Sequence, residues 1–152
     1  MEPWWWAVGA CIAAFLWTAY LDVRHDSERR LAACWVARTR TLGGWVGPVS
    51  LLVSTGALAC FSVAAWAAVG AASATGHHLW ALAVIGPAVL VYSPVVMATA
   101  PAQAGGYGPW RAELSAAGAD PRQQRAIAWW AGPPSLLGIL AIAIALWSSL
   151  VP

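Results

Sequence analysis

The sequence predicts an all-helical integral membrane protein of four transmembrane helices, folded as a single domain over residues 1–152. Three observations predict it. First, the chain is 61% hydrophobic and only 9% charged, with mean hydropathy +0.65. A soluble domain of this size carries about 25% charged residues, so these few charges cover the surface only if lipid is the solvent for most of it. Second, four apolar stretches, 4–21, 45–72, 79–100 and 126–151, contain no Asp, Glu, Arg or Lys. About 20 helical residues cross a hydrocarbon core of roughly 30 Å, and each stretch meets or nearly meets that length. An unpaired amide in lipid costs several kcal/mol, so each stretch must be a helix. Third, the eight basic residues, all of them Arg, fall only in the segments after the first and third stretches and at the start of the fourth. The positive-inside rule then places 22–44 and 101–125 in the cytoplasm and both termini outside.

The first span has only Met1, Glu2 and Pro3 before it. Without the positive flank of a signal peptide, it reads as a retained span. The loop that follows holds Asp22, Arg24, His25, Asp26, Glu28, Arg29 and Arg30 almost in a row. With Asp26 as N-cap, Leu31, Cys34 and Trp35 form an apolar face among arginines, which predicts a short interfacial helix. Span two carries Ala64, Ala68 and Ala72 at helical spacing, a small-residue stripe that lets a neighbouring helix approach closely. The turn at 73–78 has no Arg. Its His77-His78 pair reads as solvated imidazoles, with contact to a metal as the alternative. Span three contains Gly86-Pro87 and Ser93-Pro94. The next loop opens Gly/Pro-rich, then predicts a short helix at 110–117 stopped by Gly118, with Asp120-Pro121 as the N-cap and N1 pair that starts span four. Gly106-Tyr107-Gly108 has the composition of a potassium-filter triplet, but no pore-helix pattern precedes it.

Ten of the twelve Trp residues mark the span ends. Trp4, Trp5, Trp6, Trp66, Trp80 and Trp147 lie toward the outer side, and Trp17, Trp45, Trp129 and Trp130 toward the inner side. This is the aromatic belt of amphipathic indoles at headgroup level; a cation-stabilising aromatic pocket is the alternative. Trp35 and Trp110 fall in the loops.

A repeat unites the two halves. Arg40 is followed by Trp45-Val46-Gly47-Pro48-Val49-Ser50-Leu51-Leu52, and Arg125 by Trp130-Ala131-Gly132-Pro133-Pro134-Ser135-Leu136-Leu137. Both read R-x4-W-x-G-P-x-S-L-L at an offset of 85 residues, which also pairs Glu28 with Glu113. The pattern predicts a duplicated helical hairpin, about 1–72 and 79–152, related by a pseudo-two-fold axis along the membrane normal. Proline removes an amide donor and clashes with the carbonyl four residues back. Gly47, Pro48, Gly132 and Pro133 are therefore expected as helix breaks. Arg40 and Arg125, seven residues earlier, are expected to hold an anion or lipid headgroup.

Composition limits the chemistry. Lys and Asn are absent, a bias expected of a GC-rich genome and hence of a bacterial plasma membrane. A net charge of +2 is too small to imply a nucleic-acid partner. Cys11, Cys34 and Cys60 have no metal or redox spacing, and neither metal nor cofactor is expected. No span carries an ionisable group in its middle, which argues against ion-coupled transport. One reading is a non-catalytic membrane component, in contact with lipids and with another membrane protein or a second copy. The alternative is a membrane-embedded enzyme, such as a cyclase or transferase, acting on a lipid-like or isoprenoid substrate at the cytoplasmic face. Its candidate catalytic carboxylates are Asp22, Asp26, Glu28, Glu113 and Asp120.

Overall fold

A computed structural model describes residues 4–76, 78–101 and 106–150; within them, residues 4–8, 10, 11, 15, 22, 78–80 and 150 are described as backbone only. Six α-helices follow in order: α1 (Trp4–His25), α2 (Ser27–Leu42), α3 (Val46–Thr75), α4 (His78–Thr99), α5 (Gly108–Ala116) and α6 (Pro121–Leu150). There is no strand among the described residues. Among the described residues, three helical stretches are long and apolar enough to cross a membrane: the run Ser27–Thr75, whose apolar part is α3, then Ala81–Thr99 and Pro121–Ser149. The first expected span coincides with α1, many of whose side chains, those of Trp4, Trp5, Trp6 and Cys11 included, lie outside the described residues.

The long helices make one bundle. α3 and α6 pack most extensively, α4 packs against both, and α1 lies along α4 and α6. Their shared core is built from small and branched side chains: Phe61, Ala65, Ala68 and Ala72 of α3, Ile85 and Val89 of α4, and Ile142, Ala145 and Leu146 of α6. Ala68 and Ala72 of the expected stripe are thus spent inside the bundle, where small residues bring helices together, while Ala65 takes the core place expected of Ala64, which is half-buried. A second cluster sits at the Arg-bearing end, where α2 and α5 pack on each other and α5 packs on the start of α6. It buries Ala32, Trp35, Trp110, Leu114 and Ile127. The inward face of α2 is therefore Ala32, Trp35 and Thr39, turned from the expected Leu31-Cys34-Trp35 face, and Cys34 is exposed.

Local chemistry fixes the ends of these elements. Asp120 accepts hydrogen bonds from the Arg122 and Gln123 amides at 2.7 and 2.9 Å, while Gln123 Oε1 accepts from the Asp120 amide at 3.0 Å. This reciprocal pair is a capping box, with Pro121 at N1 as expected. Gly118, at φ 96°, ends α5 in the left-handed region; its amide reaches Ser115 O and the Ala119 amide reaches Leu114 O. Those two bonds are the Schellman closure.

The expected helix breaks are corrected. Pro48 sits in the first turn of α3, where its missing amide has no intrahelical partner to lose. The chain turns earlier instead, at Gly43, whose φ of 52° and ψ of −123° suit only glycine. α6 runs without interruption through Gly132, Pro133 and Pro134. The motif glycines answer to close approach rather than to breakage. A Cβ on Gly47 would lie 2.5 Å from Trp130 Cδ1, and one on Gly132 would lie 2.5 Å from Tyr107 Cε1. Each glycine is a slot for an aromatic ring.

Candidate functional site

At the Arg-bearing end, a hollow of about 370 Å³ opens between the start of α2 and α5. It is lined by Asp26, Glu28, Arg29, Glu113 and Ala116. Asp26 alone joins α1 to α2, and it does so in the left-handed region, at φ 48° and ψ 48°. Asp tolerates that conformation better than most residues. The expected cap is corrected here: the Asp26 side chain makes no capping hydrogen bond and lines the hollow instead. Glu28 lies in the first turn of α2, where a carboxylate is favoured by the helix dipole. Glu113 projects from α5, which Trp110 and Leu114 anchor by burial.

Three of the five sequence-predicted carboxylates thus share one hollow. Glu28 and Glu113, the pair matched at the repeat offset, are both among them. Asp120 is committed to its capping box, and the Asp22 side chain lies outside the described residues. Among the described residues, no three of His, Cys, Asp and Glu stand close enough to hold a metal ion. Three carboxylates and one guanidinium line the hollow. A carboxylate within reach of a bound substrate would also serve as general acid or base. Two buried donors of α5, Trp110 Nε1 and Arg111 Nε, have no hydrogen-bond acceptor among the described residues.

Arg40 and Arg125 stand apart from this hollow. Arg40 falls in the last turn of α2, where a cation complements the helix C-terminus. The corner at Gly43 interrupts the two-turn relation to Gly47 that sequence spacing predicts. Arg125 keeps that relation to Gly132 along α6, and its Nε donates to Pro121 O at 3.1 Å. Both side chains are exposed.

Sequence reading missed the polar clasps between helices. Ser50 Oγ, fully buried, donates to Ile127 O at 3.3 Å, and Ser135 Oγ pairs with Thr99 Oγ1 at 2.6 Å. Both serines belong to the repeated motif, so the signal was present in the S of G-P-x-S. Trp17 Nε1 donates to Leu90 O at 3.2 Å. Leu90 is the residue whose carbonyl loses its partner to Pro94, and α1 supplies the replacement donor. At the other end of the bundle, a groove of about 290 Å³ between α3 and α6 is lined by Ala65, Trp66, Val69, Ile144 and their neighbours.

Comparison of the chain with models of known protein families, with curated proteins and with solved structures finds no match in any of the three.

Proposed function

We propose that the chain is a small non-catalytic component of a bacterial plasma membrane that acts by assembling with a partner membrane protein. In this reading α1 crosses the bilayer with α3, α4 and α6, both termini lie outside, and 22–44 and 101–125 face the cytoplasm, as the arginines direct. The observation that carries it is the filled interior. Ala, Ile, Val, Leu and Phe fill the bundle from Phe61 of α3 toward its Gly76 end, and the buried Ser50, Thr99 and Ser135 hydroxyls reach neighbouring helices. A transporter or channel needs polar groups along a route at that depth. The feature left open is the hollow of Asp26, Glu28 and Glu113, whose charge fits a basic segment of the partner. A photo-reactive residue at Ala116, on its rim, is expected to capture one dominant protein in native membranes. Capture should fall at least ten-fold when Glu28 and Glu113 are both changed to Arg. Lipid adducts alone at Ala116 would remove the assembly reading.

The convergence of three carboxylates supports a second reading, an enzyme acting on a lipid-like or isoprenoid substrate at the cytoplasmic face. Asp26, Glu28 and Glu113 are then its acids, and Arg29 holds a phosphate. Cells carrying Glu113→Gln should accumulate a lipid species that cells carrying the wild-type protein consume. Identical lipid extracts from the two would eliminate the enzyme.

A further inference from the structure

We draw no further inference here: the strongest candidate, the carboxylate-lined hollow of Asp26, Glu28 and Glu113 between α2 and α5, belongs to the site already described, and no independent feature there points to a particular ligand.

Discussion

Gly47 and Gly132 occupy the same position in the two copies of the motif, yet they receive different rings. Gly47 of the first copy takes Trp130 of the second. A strict two-fold would seat Trp45 against Gly132, but Tyr107 fills that slot and Trp45 is 71% exposed. Tyr107 also lies against Trp129, with ring centroids 5.8 Å apart, so the segment entering α5 is fastened to α6 by one side chain. The repeated motif was legible in the sequence as identity at fixed offset, whereas the unequal ring contacts of its two glycines were not. Tyr107 lies outside the motif, and no local pattern says which ring reaches a distant glycine. Adding a methyl group in either slot forces a ring out of place. Gly47→Ala and Gly132→Ala should each lower stability by about 1–3 kcal/mol, the usual range for overpacking. Gly56→Ala is the control, since nothing lies within 4 Å of its would-be Cβ. There the better helix propensity of Ala should give a neutral or slightly positive effect, up to about 1 kcal/mol. Thermal unfolding in detergent separates the three, and equal losses at all of them would show that the slots are not filled as described.

Helix positions were more legible than helix contacts, for a physical reason. Lipid demands continuous apolar runs, and capping demands particular residues at helix ends, so the stop of α5 and the start of α6 could be read from Gly118, Asp120 and Pro121. The effect of a proline depends on its place in the helix, which is set by where the chain turns. Gly43 moved the turn, so Pro48 became a first-turn residue. Pro94 shows the interior case. It has no amide for Leu90 O, and Trp17 Nε1 takes that carbonyl from α1. The indole thus ties the first helix to the kink-prone part of α4. Trp17→Phe removes the donor while keeping an apolar ring, and should cost about 0.5–1 kcal/mol, as interhelical hydrogen bonds in membranes do. Pro94→Ala restores an amide for Leu90, so in that background Trp17→Phe should cost much less. A double-mutant cycle reads this coupling directly. If the two changes are simply additive, Trp17 contributes packing and the hydrogen bond has no share in stability.

Across the whole molecule, charge and polarity divide by end. The α2–α5 layer gathers Arg29, Arg30, Arg38, Arg40, Arg111 and the hollow's carboxylates, while the turn that closes α3 at Gly76 has no charged residue. Arg38 spreads over the Trp35 ring at 5.9 Å, so even this layer uses its cations to cover aromatic surface. A hydrated guanidinium resists translocation, and the end that holds the arginines is therefore expected to stay in the cytoplasm. The opposite end, with α3 reaching Thr75 before the chain returns in α4, should then emerge outside. One residue at each end tests the assignment. Ala74 is exposed near the end of α3 and Ser115 is exposed on α5. In a background with Cys11, Cys34 and Cys60 replaced by Ser, Ala74→Cys should react with an impermeant thiol reagent in intact cells. Ser115→Cys should react only after the membrane is opened. The reverse pattern would invert the protein in its bilayer, move the carboxylate hollow outside, and take the cytoplasmic partner and the cytoplasmic substrate away together. Labelling of both residues in intact cells would contradict a bundle that crosses the membrane between them.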